Sequence, residues 1–107
     1  MATIEEFRKF EFVVAQIKEA VEHPNADKLF VLKVDLGEEN LRQIVAGIRT
    51  SYKIEELVGK KVVVIKNLEP AVIRGVESQG MILAATGLNG PIVVSPEKDV
   101  PIGSPVK

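Results

Sequence analysis

The segment from residue 10 to residue 21 constrains the fold most, because its apolar residues change parity partway along the chain. The apolar residues of its first half have even numbers, namely Phe10, Phe12 and Val14. Those of its second half have odd numbers, namely Ala15, Ile17 and Val21. Side chains alternate between the two faces of a strand, so a single strand with such a switch must contain a bulge or a strong bend. Small closed barrels require bent strands, and the segment therefore predicts a barrel.

Turn signals divide the rest of the chain into short strands and two short helices. Helices are predicted at residues 4–10, capped by Thr3, and at 51–58, ended by Gly59. The other predicted elements are strands at 28–36, 41–48, 61–65, 81–85 and 92–94 and a tight hairpin turn at 73–76. Five or six short strands with a helix before the fourth predict an all-β fold, a small Greek-key OB-fold barrel.

The length of the chain predicts one domain over residues 1–107, with a barrel core at about 10–85 and a C-terminal β extension at about 86–107. The chain has no cysteine, which excludes a disulfide framework, a thiolate metal site and a cysteine nucleophile. The first ten residues are acidic and no long apolar span follows, so we expect neither a secretory signal nor a membrane helix. A cytoplasmic location is expected.

The residue types give little support to enzyme chemistry. His23 is the only histidine, it precedes Pro24 in a turn, and no nucleophile elbow or third orienting group accompanies it. No histidine–carboxylate cluster has metal-ligand spacing, and no glycine-rich phosphate loop follows a strand and opens a helix. The sequence therefore predicts a protein that is not an enzyme and that holds no cofactor or metal.

The charges of the chain are unevenly distributed. The formal net charge is −1, which gives no overall attraction to nucleic acid. Residues 41–76 nevertheless hold seven basic and three acidic side chains, whereas residues 1–40 hold five basic and nine acidic ones. The basic middle third fits either a solvated barrel exterior or a surface that contacts a polyanion.

Five segments together carry a family resemblance. In chain order they are HPNADKL at 23–29, QIVAGI at 43–48, EELVGKKVVV at 55–64, NLEP at 67–70 and ESQGMILAA at 77–85. With these segments the chain resembles, over about residues 4–107, the tRNA-binding domain of the C-terminal extension of methionyl-tRNA synthetase. It is also similar to a free-standing, structure-specific tRNA-binding protein. The resemblance implies an OB fold, in agreement with the barrel predicted from the strands.

The resemblance also implies which residues face RNA. The tRNA-binding positions map onto Asn25, Lys28, Lys33, Ser78, Gln79 and Met81, with Lys60, Lys61 and Arg74 as flanking phosphate contacts. Lysines supply charge for phosphates, amides bond to base edges or the 2′-hydroxyl, and methionine offers an apolar surface to an unstacked base. Structural explanations stand beside these roles: Asn25 and Asp27 as turn formers, Gln79-Gly80 as a β-bulge, and Met81 as a core residue.

The function that the resemblance implies is a non-catalytic, structure-selective tRNA-binding domain that raises the tRNA affinity of methionyl-tRNA synthetase, as its C-terminal domain or beta subunit. It further implies two partners besides tRNA: the catalytic part of the synthetase, and a second copy of the chain that pairs through residues 86–107 and the N-terminal segment. Ile92–Val94 fit a homodimer, since this apolar strand would be exposed on a lone barrel.

Two alternatives remain open from the sequence. The first is a free-standing dimeric chaperone-like protein of the same fold, which binds peptides and would carry an apolar cleft in place of a basic cradle. The second is a protein-interaction module within a synthetase assembly.

Overall fold

The computed structural model describes residues 1–107, which form mostly short antiparallel strands. The strands are β1 (Phe12–Glu22), β2 (Phe30–Asp35), β3 (Arg42–Ala46), β4 (Lys61–Ile65), β5 (Ala71–Ile73), β6 (Val76–Ser78), β7 (Met81–Ile82), β8 (Ala84–Gly87), β9 (Gly90–Val93) and β10 (Pro105–Val106). The two helices are α1 (Ile4–Phe7) and α2 (Ile54–Leu57), the second of which precedes β4. The predicted all-β fold with two short helices is confirmed.

The main sheet is a nearly closed barrel. Its strand order is β3-β2-β1-β4-β7, and β10 pairs with β1 outside this path. The first half of β1 pairs with β4 and its second half pairs with β2, both in antiparallel register. One long bent strand therefore belongs to both sides of the barrel, as closure of a small sheet requires.

The bend in β1 that the parity switch predicts is present, but it lies further along the strand. The register with β2 shifts between Ile17 and Glu19, which marks a bulge at Lys18. The core residues of β1 have odd numbers before the bulge and an even number after it: Val13, Ala15 and Ile17, then Ala20. Val21, which the sequence pattern groups with Ala15 and Ile17, is 55% exposed and lies outside the core because the bulge precedes it. Before the bulge the outer face of β1 is apolar as well, since Phe12 lies there and stacks on Phe7 of α1. With apolar residues on both faces, the sequence did not show which face of the strand points to the core.

The barrel interior holds one apolar cluster. Its fully buried members are Ala15, Ile17, Leu32, Val34, Ile44, Leu57, Val62 and Val64. Alternate residues of β2 face this core, because Phe30, Leu32 and Val34 all lie in the cluster. Leu57 brings α2 onto the same core, so the short helix is held by packing rather than by its own length.

Local turn chemistry explains where several elements end. Thr3 and Glu6 form a capping box at α1, and this helix ends at Phe7, shorter than the predicted range. The tip of hairpin β5–β6 consists of Arg74 and Gly75, with φ values of 52° and 89°. Two positive φ values at a two-residue turn are typical of type I′, which matches the twist of the flanking strands.

The C-terminal β extension is made of β8, β9 and β10. The predicted strand at 81–85 is divided between β7 and β8, and β8 forms a separate hairpin with β9. Beyond β9 the chain returns to the barrel, where β10 pairs with Phe12 and Val13 of β1. Backbone hydrogen bonds from Gly103 to Val14 and from Val14 to Ser104 extend this attachment. No helix in the structure has the length and apolar character needed to cross a membrane.

Candidate nucleic-acid interface

The turn between β1 and β2, residues 23–29, is joined to hairpin β5–β6 by a buried histidine; we call this turn the first loop. His23 is 4% exposed, and its Nε2 lies 3.0 Å from the carbonyl oxygen of Ile73. Its Nδ1 accepts a hydrogen bond from the backbone N–H of Asn25 at 3.0 Å. Because Nδ1 accepts, Nε2 carries the ring proton and donates to Ile73. The ring therefore connects the first loop to the hairpin.

A second pair of contacts joins the first loop to the tip of the hairpin. The Arg74 guanidinium donates to the carbonyl oxygen of Asn25 at 3.0 Å, and the Asn25 side-chain amide donates to the carbonyl oxygen of Arg74 at 3.5 Å. The φ of 52° at Arg74 is a left-handed conformation that residues with a Cβ rarely adopt. The tip is thus held in an uncommon conformation against Asn25.

Arg49, which follows β3, fixes the backbone of the first loop. Its backbone N–H donates to the carbonyl oxygen of Lys28 and its guanidinium to that of Ala26, each at 3.4 Å. The guanidinium also pairs with the carboxylate of Glu22. The side chains of Asn25 and Lys28 remain exposed, and Lys28 takes part in none of the four ion pairs of the structure. The sequence did not identify Arg49, because its partners in the loop lie far from it along the chain.

Ser78 and Gln79 close the barrel beside the hairpin. The Ser78 hydroxyl is buried, accepts from the backbone N–H of Val45 at 2.9 Å and donates to the carbonyl oxygen of Gly80 at 3.0 Å. Gln79 bonds Gln43 twice: its backbone N–H donates to the Gln43 carbonyl at 2.7 Å, and its side-chain oxygen accepts from the Gln43 N–H at 3.0 Å. These groups satisfy the free edge of β3, and we call this contact line the seam.

Lys33 and Met81 lie along the seam. Lys33 Nζ donates to the side-chain oxygen of Gln43 at 3.0 Å, and the Gln43 amide in turn donates to the carbonyl oxygen of Glu77 in β6 at 2.8 Å. Met81 is 51% exposed while its neighbour Ile82 lies in the core. The structural explanation of Met81 as a core residue is therefore wrong, because the strand turns its side chain outward.

Val72 is a surface residue that the sequence reasoning did not identify. It is 72% exposed and pairs with Glu77 across hairpin β5–β6. The next pair, Ala71 with Ser78, turns the serine toward β3, so Val72 projects from the opposite face of the hairpin. A parity count from Ser78 could have indicated this position.

Lys60 and Lys61 lie elsewhere on the barrel. Lys61 is opposite Gln16 on β1, about 20 Å along the strand from Glu22, where the first loop begins. Its Nζ donates to the Asp99 carboxylate at 2.7 Å. This hydrogen bond and the lysine charge hold the pKa of Asp99 below its usual value. The structure thus brings Arg74 to the first loop but separates both lysines from it.

An apolar groove lies between α1 and the C-terminal strand. It has a volume of about 740 Å³, and its exposed apolar side chains include Ile4, Phe7, Phe10 and Val106. Ile92 of β9 and Val94 after it are also exposed, at 48% and 40%. We call the groove lined by the α1 and β10 residues the terminal groove.

The arrangement offers binding groups without a catalytic constellation. Both ring nitrogens of His23 bond to backbone groups. No group of three or more histidine, cysteine, aspartate or glutamate side chains is placed to hold a metal ion. The surface presents the exposed side chains of Asn25, Lys28 and Arg74. They lie on the first loop and on hairpin β5–β6, which are joined by hydrogen bonds.

Comparisons with known proteins agree on one family. A family model described as "Putative tRNA binding domain" matches residues 12–105. The chain is 54% identical over 103 residues to a methionine–tRNA ligase from Methanococcus aeolicus. The matched region is 96% of this chain but only 15% of the ligase. The chain therefore corresponds to a small part of that relative.

Two solved structures are similar over the whole chain. A methionyl-tRNA synthetase-related protein from Pyrococcus horikoshii is 37% identical with a TM-score of 0.89, over 100% of this chain and 98% of that one. The CsaA chaperone protein from Picrophilus torridus is 28% identical with a TM-score of 0.92, over 100% of both chains. The fold is thus shared by proteins described in two different ways.

Proposed function

The chain belongs to the tRNA-binding domain family, and we propose that it is a non-catalytic, structure-selective domain that raises the tRNA affinity of a methionyl-tRNA synthetase. In this role it acts in the cytoplasm, as the C-terminal domain or beta subunit of the synthetase. The observation that carries the proposal is the bonding of the first loop to hairpin β5–β6 by His23 and Arg74. The loop between the first two barrel strands and the connection before the last strand are where OB folds bind oligonucleotides.

The proposed RNA contacts follow from exposure and charge. Lys28 and Arg74 contact phosphates, because both are exposed cations on the two joined loops. Asn25 offers a donor and an acceptor to a base edge or a 2′-hydroxyl. Met81 and Val72 provide apolar surface for an unstacked base, a role that aromatic residues fill in proteins richer in them.

Three of the predicted site residues act differently in this proposal. Ser78 is a positioning residue, since its hydroxyl already has a donor and an acceptor inside the protein. Gln79 lies in the seam, where its side-chain oxygen accepts from Gln43. Its side-chain N–H groups are proposed to donate to an RNA acceptor. Lys33 bonds Gln43 in the absence of RNA and is proposed to exchange this bond for a phosphate.

Lys60 and Lys61 contact RNA only if the tRNA extends well beyond the first loop. Lys61 is already paired with Asp99, so Lys60 is the better candidate for a distant phosphate. A tRNA is long enough to cover this distance on one barrel.

The proposal is tested by the salt dependence and selectivity of binding. With about three to five phosphate contacts, a plot of log K against log salt should have a slope of roughly −2 to −4. Several tRNAs with different anticodons should bind within a few-fold of one another, and an unstructured RNA of equal length should bind more weakly. Affinity confined to a single tRNA, or a slope near zero, would contradict the proposal.

We also propose that two copies pair through the terminal groove and the C-terminal β extension. The exposed apolar side chains there support the proposal, because patches of this kind on small domains mark interaction sites. A two-fold pair would bring two first loops onto one tRNA, which raises the overall affinity without new residue types.

A second candidate function is that of a dimeric chaperone-like protein that binds peptides. The similarity to a solved structure described as a CsaA chaperone protein, together with the apolar terminal groove, supports it. The two functions are separated by assaying one preparation for tRNA binding and for suppression of the aggregation of an unfolded protein. Suppression at equimolar concentration without tRNA binding would favour the chaperone.

A further inference from the structure

His23 is the one buried titratable side chain of the structure, and its bonds go to two different elements. Nδ1 organises the first loop locally by accepting from Asn25, two residues on. Nε2 reaches Ile73, fifty residues away, at the end of β5. The other bonds between the two elements, through Arg74, are exposed to solvent, and one of them is long at 3.5 Å.

We propose that His23 is a positioning residue for RNA binding, which fixes the first loop and hairpin β5–β6 as one preorganised surface. The inference rests on the proposed tRNA-binding function and assigns no RNA contact to the ring itself. Asn25 and Lys28 lie on one element and Arg74 on the other, so they meet the same RNA only while the two elements keep one relative position. Surfaces ordered before binding lose less conformational entropy when the ligand arrives, and affinity rises accordingly.

The two bonds of the ring can be removed separately. In His23→Asn, the side-chain oxygen takes the place of Nδ1 and accepts from the Asn25 N–H, as in an Asx turn. The shorter side chain leaves the Ile73 carbonyl without its donor. In His23→Gln, the side-chain amide takes the place of Nε2 and can donate to Ile73, while the local acceptor is lost. The pair therefore distinguishes the link between elements from the shape of the loop.

The experiment measures tRNA dissociation constants by filter binding for the full chain and both variants, with melting temperatures by circular dichroism. We expect His23→Asn to weaken binding roughly five- to tenfold, the effect of one lost hydrogen bond that leaves a polar group unpaired. We expect His23→Gln to remain within about threefold of the unchanged protein, which would be rescue by the variant that keeps the link. A residue that matters only for the shape of the first loop would give the reverse order.

Several results would overturn the inference. Equal affinities for the two variants and the unchanged protein would remove His23 from the binding mechanism while leaving tRNA binding intact. Absence of tRNA binding by the unchanged protein would overturn the proposed function and this inference with it. Should both variants unfold, proton NMR of the unchanged protein decides: the Nε2 proton of the His23 ring should be observed and exchange slowly, because it is bonded to the Ile73 carbonyl oxygen, and its rapid exchange with solvent would refute the link.

Discussion

At Arg74 the stability of the fold and the proposed function make opposite demands. The residue occupies the first central position of a type I′ turn with a φ of 52°, where asparagine or glycine is preferred. A left-handed residue with a branched or long side chain costs about 1–2 kcal/mol. The guanidinium bonds the Asn25 carbonyl and has further N–H groups free for phosphate oxygens, which is a reason to keep arginine there.

Arg74→Asn should therefore stabilise the protein and weaken tRNA binding. We expect a gain of about 0.5–1 kcal/mol in the free energy of unfolding, because asparagine adopts the left-handed conformation at a lower cost than arginine and the bond to Asn25 that is lost is exposed to solvent. Loss of the charged contact should cost about 1–3 kcal/mol of binding free energy. Urea denaturation measures the first and filter binding the second. Lys98→Asn, which removes the same charge from an exposed lysine near Asp99, serves as the control and should leave tRNA affinity nearly unchanged. Unaltered tRNA affinity of Arg74→Asn would contradict the role of the guanidinium.

Lys28 tests the charge of the first loop. Lys28→Glu should weaken tRNA binding by about 1–3 kcal/mol without changing the melting temperature, because the side chain is exposed and has no ion-pair partner. Filter binding at two salt concentrations measures the loss. Lys60→Glu makes the same charge change outside the first loop, beside Ile17 in the middle of β1, and should have a smaller effect. Equal losses would show that RNA extends from the first loop to Lys60, and no loss with Lys28→Glu would exclude the first loop.

Among the elements, the seam joins β3, the last strand of the sheet path, to Ser78 and Gln79. The barrel therefore closes there with few backbone hydrogen bonds between strands. β3 ends the hydrogen-bonded path, and the side chains of Ser78 at the end of β6 and of Gln79 after it accept from N–H groups on its free edge. Short side-chain bonds take the place of a ladder, and they leave Met81 facing outward next to the hairpin. Fold stability and the proposed RNA surface therefore depend on the same stretch of chain.

Ser78→Ala should lower stability more than an ordinary surface substitution. It removes the acceptor of the buried Val45 N–H, and an unpaired buried donor costs about 1–3 kcal/mol. Chemical denaturation measures the loss, and Thr86→Ala, an exposed hydroxyl in β8, provides the control. If the stability of Ser78→Ala were unchanged while tRNA affinity fell, the serine would be an RNA contact and not part of the seam.

For the whole molecule, the exposed apolar residues of the N-terminal segment support the proposed pairing of two chains. The terminal groove exposes Ile4, Phe7 and Phe10, yet α1 contributes no buried residue to its own barrel. A helix with this pattern gains little from folding onto the barrel alone. A second copy of the chain would cover it.

Ile4→Glu should convert the proposed homodimer into a monomer, because it puts a charge into the terminal groove without touching the core. Light scattering after gel filtration should report about twice the chain mass for the unchanged protein and the mass of one chain for the variant. The variant should also lose tRNA affinity. A chain ending at Gly87 should behave similarly or become insoluble, since it also loses the bonds of residues 103–106 to β1. A monomeric full chain that still binds tRNA with full affinity would refute the dimer.

Sequence alone determined the features that depend on neighbouring residues. The cap at Thr3, the end of α2 before Gly59 and the tight hairpin turn at Arg74-Gly75 all follow from interactions within a few positions. The motifs also identified the family and the first loop. These signals are local, or they are combinations of residue types at fixed spacing, and both can be read without coordinates.

Only the tertiary structure decided which way the side chains of the motif residues point and which groups they contact. Ser78 turns inward, Met81 turns outward, Lys61 pairs with Asp99, and His23 bonds Ile73. Each outcome depends on the register of strands that are distant in sequence and on the position of the bulge in β1. A shift of one residue in a strand exchanges its two faces, so parity read from the sequence could not determine them until the barrel had closed.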